Sequence, residues 1–203
     1  LIFDGQGVGS SRLPLKAYRR QVQMVFQDSY ASLNPRLTME ESIAFGQRVH
    51  GVSAREASEY ARYLLAHVGL EPARFADRYP HALSGGQRQR AWIAMVLAQE
   101  TAIMLLDEPT TWLDISHQID LLELLSELNR EKGYTLAAVL HDLNQACRYA
   151  THLIALRDGR IVAEGAPKEI VTADLIERIY GLRCTIIEDP VAHTPLVVPL
   201  GRR

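Results

Sequence analysis

A short apolar run that ends in two carboxylates constrains this chain more than any other feature of its sequence. Residues 103–106 include no polar side chain, and Asp107 and Glu108 follow them directly. Such a run is typical of a buried strand in a parallel sheet, and Pro109 then ends it. Because these sheets bind ligands at the carboxyl ends of their strands, we expect one carboxylate to support Mg²⁺ and the other to polarise a water molecule.

A second block of residues lies upstream of this run and has the features of an anion-binding helix start. Ser84 is suited to be the N-cap of the following helix, with Gln87 at the capping-box position. Gly85 and Gly86 let backbone N–H groups approach a ligand without an intervening Cβ. Taken alone, a Ser-x-x-Gln pattern is explained better by an ordinary capped helix.

The composition of the chain excludes several classes of protein. A length of 203 residues fits one domain, or one core with a subdomain, and a net charge of −2 argues against a dominant nucleic-acid-binding surface. Cys147 and Cys184 show no CxxC spacing, so the sequence indicates a reducing cytoplasm rather than a disulfide framework or a zinc site. No apolar run reaches the ~18 residues of a membrane-spanning helix, and we expect no direct membrane insertion.

The hydrophobic periodicity predicts a helical block followed by alternating strands and helices. Capping boxes begin at Thr38 and Ser53, ahead of helices predicted near 39–49 and 54–68, and the helix after Ser84 is predicted to run to about residue 98. Two short strands are predicted within residues 1–26. The predicted α/β elements that follow are strand 102–106, helix 116–131, strand 135–140, helix 143–149 and strand 152–157, and this alternation indicates a parallel sheet. The predicted elements at the end of the chain are a hairpin through Asp158-Gly159 into 160–163 and a small β pair at 184–187 and 196–199.

The blocks at residues 83–87 and 103–108, in this order and at this spacing, resemble the signature motif and the Walker B motif of ABC-type ATPases. The resemblance implies an α/β fold with a P-loop NTPase-type parallel sheet core and an inserted helical subdomain, and it implies ATP and Mg²⁺ as cofactors. It divides the chain into a partial catalytic core with the Q-loop at 1–28, a helical subdomain with the signature at 29–100, a catalytic core at 101–165 and a C-terminal tail at 166–203.

The resemblance also implies roles for the residues of both blocks. Asp107 would support Mg²⁺, and Glu108 would be the general base that activates water. A surface turn ahead of Pro109 is the alternative interpretation of these carboxylates, and the apolar run before them argues against it. The signature residues that would contact ATP are Ser84, Gly85, Gly86 and Gln87.

Three further residues match motifs of the family. Gln27 follows the apolar run 22–26 and matches the Q-loop glutamine, which contacts Mg²⁺ and couples the catalytic site to the transporter. His141 follows the apolar run 136–140 and matches the switch histidine, which contacts the γ-phosphate. Asp114 matches the D-loop residue that touches the opposite subunit. A solvated loop glutamine and a structural histidine are the alternatives for Gln27 and His141.

A Walker A loop, GxxxxGK[ST], is not found in the sequence. Such a loop needs a glycine directly before its lysine. The lysines of this chain follow other residues: Lys16 follows Leu15, Lys132 follows Glu131 and Lys168 follows Pro167. The glycine-rich run at 5–11 contains no lysine. We therefore expect the chain to be a fragment of a longer protein, without the P-loop and the first strands.

The resemblance to ABC ATPases is divided between two subfamilies. Residues 25–38 and 78–81 are similar to the ATPases of oligopeptide and dipeptide importers. The later stretches that are similar to the ATPases of iron-siderophore importers are 88–95, 110–114, 141–150 and 159–165. Because the second group covers more of the chain, we expect a siderophore importer, with a peptide importer as the alternative.

Similarity to this family implies two kinds of partner. ATP in these proteins lies between the Walker motifs of one subunit and the signature of another, so a second ATPase subunit, identical or different, is expected. Transmembrane permease subunits would bind the helical subdomain and hold the protein at the cytoplasmic face of the membrane as a peripheral subunit. A non-catalytic partner that lends its signature to a complete subunit is a further alternative.

Overall fold

The structure is a computed structural model that describes residues 2–25, 33–111 and 113–201. Contacts between Cα atoms divide the chain into two units, Leu1–Val139 and Leu140–Arg203. Each unit has a hydrophobic cluster of its own. No helix among the described residues has both the length and the apolar character that crossing a bilayer requires.

The first unit contains the parallel sheet and the helical block. Its elements are β1 (Ile2–Phe3), β2 (Gln6–Gly7), α1 (Leu15–Arg19), β3 (Val22–Val25), α2 (Met39–Val49), α3 (Ala54–His67), α4 (Pro72–Phe75), a 3-10 turn (Pro80–Ala82), α5 (Gly85–Leu97), β4 (Ile103–Leu106), α6 (Ile115–Lys132) and β5 (Thr135–Ala138).

Strand β4 lies at the centre of a parallel sheet, between β3 and β5. Val22 pairs with Ile103, and Ile103 pairs with Thr135. Along β4, half-buried and buried side chains alternate. The predicted α/β fold with a parallel sheet is confirmed, and the central strand carries Asp107 and Glu108 at its carboxyl end, where such sheets bind ligands.

Helices α2 and α3 begin and end where local sequence signals predict. Thr38 and Ser53 each accept a hydrogen bond from the backbone N–H three residues on, and both form complete capping boxes. Gly51 and Gly69 follow the two helices with φ of 92° and 75°, a left-handed conformation that glycine adopts at little cost. The predictions for 39–49 and 54–68 are therefore confirmed to within a residue.

The helical block and the sheet share one hydrophobic core. Buried side chains of α2, α3 and α5 belong to the same cluster as those of β4 and α6. The largest apolar side chains that are fully buried in this cluster are Met39, Ile43, Leu65, Leu70 and Met104. Because packed cores resist deformation, this shared cluster holds the start of α5 at a defined place relative to the end of β4.

The glycine-rich run at residues 5–11 begins inside a short hairpin. Strands β1 and β2 pair antiparallel across Asp4 and Gly5, whose φ values of 49° and 70° are both positive, as a type I′ turn requires. The sequence predicts the first strand and the break at this dipeptide, but it does not predict the return strand Gln6–Gly7.

The second unit is built from two antiparallel strand pairs and short helices. Its elements are α7 (Leu143–Tyr149), β6 (Leu153–Arg157), β7 (Arg160–Gly165), α8 (Pro167–Ile170), α9 (Ala173–Tyr180), β8 (Cys184–Glu188) and β9 (Pro195–Pro199). The pairing of β8 with β9 confirms the small β pair predicted at the end of the chain.

Strand β6 corrects one prediction of topology. The alternating pattern predicts 152–157 as a further strand of the parallel sheet, but within the described residues β6 pairs antiparallel with β7. This pairing confirms the hairpin that the sequence also predicts through Asp158-Gly159 into 160–163. The reason is the turn at Asp158 and Gly159, whose positive φ values of 50° and 72° return the chain beside the strand it has just left.

Candidate functional site

The first turn of α5 presents the predicted anion-binding geometry. Ser84 is the N-cap, and its Oγ accepts a hydrogen bond from the Gln87 backbone N–H at 3.3 Å. The Gln87 Oε1 accepts one in return from the Ser84 N–H at 3.1 Å. The capping box is confirmed. A Cβ placed on Gly85 would meet no atom within 4 Å, so this side of the helix start is open to a ligand.

The two carboxylates at the end of β4 are half-buried, and the second has an unusual backbone. Glu108 has φ of 49°, although it carries a Cβ. The Thr111 hydroxyl donates a hydrogen bond to Glu108 Oε2 at 3.1 Å, and the Thr111 N–H donates to the Glu108 carbonyl oxygen at 3.2 Å. A non-glycine residue in this region costs about 1 kcal/mol or more and persists only where its surroundings impose it. The turn therefore holds the Glu108 carboxylate in a fixed direction.

A buried glutamine joins the signature helix to the segment that follows these carboxylates. Gln89 is 7% exposed, and its Nε2 donates a hydrogen bond to the Pro109 carbonyl oxygen at 3.1 Å. Sequence analysis assigns no role to Gln89. The signal that points to it is its place three and four residues before the buried Trp92 and Ile93, on the same face of α5, since a polar group buried there needs a partner.

Asp114 caps α6 through a set of short hydrogen bonds. Its Oδ1 accepts bonds from the His117 backbone N–H at 3.0 Å and from the Ser116 hydroxyl at 2.9 Å, and the His117 Nδ1 lies 2.6 Å away. The backbone bond from His117 first, and then the side-chain bonds, lower the pKa of Asp114 from 3.8 to about 2. Asp114 is therefore an exposed anion over the whole physiological pH range.

The imidazole of His117 covers the second signature glycine. A Cβ on Gly86 would lie 2.0 Å from His117 Cδ2 and 2.3 Å from Nε2, closer than any tolerable contact. Gly86 is buried, and both residues line a cleft of about 240 Å³ between the end of α3, α5 and α6. Nothing in the sequence places His117 beside Gly86, because the two residues are 31 positions apart and share no motif.

Two predicted residues lie outside the described part of the first unit. Gln27 lies outside the described residues, as do residues 26 and 28–32 of the segment that resembles peptide-importer ATPases. His141 belongs to the second unit, next to Asp142, whose Oδ1 caps α7 by accepting hydrogen bonds from the N–H groups of Asn144 and Gln145 at 2.8 and 2.9 Å. The N-cap predicted at Asp142 is confirmed.

The donor groups of the site suit a nucleotide and its metal ion. Carboxylate oxygens such as those of Asp107 are ligands that Mg²⁺ prefers, usually together with water and substrate phosphates. Within the described parts of the chain, no three His, Cys, Asp or Glu side chains are grouped so that they could hold a metal ion. Mg²⁺ at Asp107 would therefore need oxygen ligands from nucleotide and water.

The chain is similar to known proteins in both sequence and structure. The family model described as ABC transporter matches residues 2–111. The chain is 72% identical over 170 residues to the ferric enterobactin transport ATP-binding protein FepC of Escherichia coli K12, covering 82% of this chain and 62% of FepC. It is 59% identical over 206 residues to the probable siderophore transport system ATP-binding protein YusV of Bacillus subtilis 168, covering 100% of this chain and 73% of YusV.

Among solved structures, the chain resembles the dimeric, post-hydrolysis state of the ATP-binding cassette MJ0796 bound to ADP and Pi. The TM-score is 0.65 at 36% sequence identity, over 75% of this chain and 66% of the cassette chain. The chain thus spans about two thirds of the length of the proteins that it matches.

Proposed function

The chain belongs to the ABC transporter family, and from this premise we propose that the protein is the ATP-binding and ATP-hydrolysing subunit of an importer of iron-siderophore complexes. The observation that carries the proposal is the hydrogen bond that joins the buried Gln89 of the signature helix to Pro109, directly after the carboxylates of β4. The choice of cargo is supported by the 72% identity to FepC, whose name describes ferric enterobactin transport.

Asp107 and Glu108 divide the catalytic work in this proposal. Asp107 is the carboxylate that supports Mg²⁺, which supplies charge neutralisation for the phosphates of ATP. Glu108 is the general base: its carboxylate takes the proton of the water that attacks the γ-phosphate. The hydrogen bond from Thr111 to Oε2 orients the Glu108 carboxylate before ATP arrives, as preorganised catalysis requires.

The signature residues serve the ATP of a second ATPase subunit. The N-terminus of α5 carries the positive end of the helix dipole, and its exposed N–H groups beside Ser84 and Gly85 are suited to a phosphate oxygen. Asp114 faces the same partner. Gln27 is the proposed contact of Mg²⁺, and His141 is the proposed contact of the γ-phosphate.

The proposed assembly contains two ATPase subunits and transmembrane permease subunits at the cytoplasmic face of the membrane. Dimerisation is supported by the cassette MJ0796, which is dimeric in its structure with ADP and Pi. The two subunits are either identical or different, and the permease subunits bind the helical block.

Substrate uptake tests the proposal and separates its alternatives. The full-length protein is expressed in cells that lack their own siderophore ATPase, together with siderophore-importer permease subunits or with peptide-importer permease subunits. We expect ⁵⁵Fe-siderophore uptake in the first combination, no labelled-peptide uptake in the second, and loss of iron uptake in Glu108→Gln but not in the exposed control Glu164→Gln. Peptide uptake would instead support the alternative function, a peptide importer, which rests on the similarity of residues 25–38 and 78–81 to the ATPases of such importers. Iron uptake that survives Glu108→Gln would favour a non-catalytic subunit.

A further inference from the structure

We propose that His117 is a positioning residue that locks the start of the signature helix to the Asp114 loop within one subunit, and that Gly86 must be glycine because of this ring. The mechanical part of this inference stands on the contacts of the described residues. Its consequence for hydrolysis rests on the proposed function, in which both elements face the second subunit.

The first step is the contact between His117 and Gly86. The ring lies where a Cβ of residue 86 would be, with Cδ2 at 2.0 Å and Nε2 at 2.3 Å from the ideal Cβ position. At the neighbouring Gly85 a Cβ would meet nothing within 4 Å. Among the described residues, therefore, a group of the same subunit excludes a Cβ at Gly86 but not at Gly85.

The second step is that the ring of His117 cannot simply turn away. Its Nδ1 lies 2.6 Å from Asp114 Oδ1, and because an ionised carboxylate only accepts hydrogen bonds, Nδ1 carries the hydrogen. Asp114 is itself held by the His117 N–H and the Ser116 hydroxyl. Rotation of the ring to admit a Cβ at Gly86 would break the bond to Asp114.

The third step is that α5 and α6 meet again one turn further along both helices. Arg90, four residues after Gly86, forms an ion pair with Asp120, three residues after His117. Since residues three and four apart lie on one face of a helix, the two contacts stack along the same interface. Two such contacts fix the direction of α5 relative to α6, so the signature start and Asp114 move together.

A double-mutant cycle on the free energy of unfolding tests the contact. In the full chain, Gly86→Ala is expected to lower the folding equilibrium constant by roughly ten- to a hundredfold, as overpacking does. In the His117→Ala background, Gly86→Ala is expected to lower the folding equilibrium constant by less than about threefold, because the imidazole ring is absent. The matched control is Gly85→Ala, which is expected to have the same small effect in both backgrounds. An equal cost of Gly86→Ala with and without the ring would overturn the proposal.

A kinetic measurement distinguishes a positioning role of His117 from an effect on folding stability alone. His117→Asn keeps an N–H donor near the place of Nδ1, whereas His117→Ala removes it. In the full-length protein, we expect the kcat of ATP hydrolysis to fall about tenfold in His117→Ala, with KM for ATP unchanged. In His117→Asn we expect kcat to recover in part. A rise in KM alone, or kcat values that follow stability rather than the donor, would contradict the positioning role. The unfolding cycle requires no ATPase activity, so it decides the contact even if the proposed function fails.

Discussion

Glu108 combines a strained backbone with a fixed carboxylate, which is the combination expected of a residue selected for chemistry rather than for folding. Its φ of 49° places a side chain in a region that favours glycine, and Thr111 supplies hydrogen bonds on both its backbone and its carboxylate sides. A residue that served only to end the strand would not need this conformation.

We predict that Glu108→Gln in the full-length protein lowers ATP hydrolysis by at least ~10²-fold while ATP binding stays intact, because the amide cannot accept the proton of the attacking water. Steady-state phosphate release and nucleotide-binding calorimetry measure the two effects. The same substitution at the exposed Glu164 is the control and should leave both unchanged. A Glu108→Gln protein with near-normal turnover would refute the role of general base.

Asp114 gives a second prediction at the scale of single residues. Its pKa is about 2 instead of 3.8, so the stability that its ionised form contributes is present above pH 3.8 and is lost as the pH falls through about 2. In His117→Ala we expect this pKa to rise only in part, because the backbone N–H of residue 117 remains the strongest cause of the shift. NMR titration of the Asp114 carboxyl carbon measures it. A complete return to 3.8 would show that the imidazole dominates.

At the scale of elements, helix α5 is the part that connects the site. Its N-terminus forms the capping box, its buried Gln89 reaches the segment after β4, and its Arg90 pairs with Asp120 of α6. Helix α5 is thereby tied to the segment that carries Asp107 and Glu108 and to the helix that Asp114 caps.

We predict that Gln89→Leu destabilises the first unit by about 1–3 kcal/mol, because the buried Pro109 carbonyl loses its donor. Urea unfolding measures the change. Gln6→Leu, at an exposed residue of β2, is the matched control and should stay within about 0.5 kcal/mol. If the two substitutions lower the free energy of unfolding by the same amount, the hydrogen bond between Gln89 and Pro109 does not stabilise the first unit.

At the scale of the whole molecule, the absence of a Gly-Lys pair from the 203-residue sequence bears on whether this chain binds and hydrolyses ATP by itself. The carboxylates of Asp107 and Glu108 repel nucleotide phosphates unless Mg²⁺ lies between them, and no lysine of this sequence follows a glycine. We predict that the chain by itself neither binds ATP with micromolar affinity nor hydrolyses it. Calorimetric titration with MgATP measures this, with a cassette that carries a Walker A loop as the positive control. Micromolar binding would show that the glycine-rich run at 5–11 has been misinterpreted.

The sequence by itself determined the features that depend on neighbours along the chain. The capping boxes at Thr38, Ser53 and Ser84 join residues three apart, and the turn at Asp158 and Gly159 needs only two adjacent residues. The apolar run before Asp107 was sufficient to predict a buried strand of a parallel sheet. Each of these signals is local, because the atoms that interact are brought together by one turn of backbone.

The tertiary structure alone decided the contacts between residues that are distant in the sequence. It paired β3 with β4 and brought Gln89 to Pro109. It also placed the ring of His117 in contact with Gly86. No periodicity or spacing encodes such contacts, because they arise only when separate elements pack into one core and their side chains exclude one another.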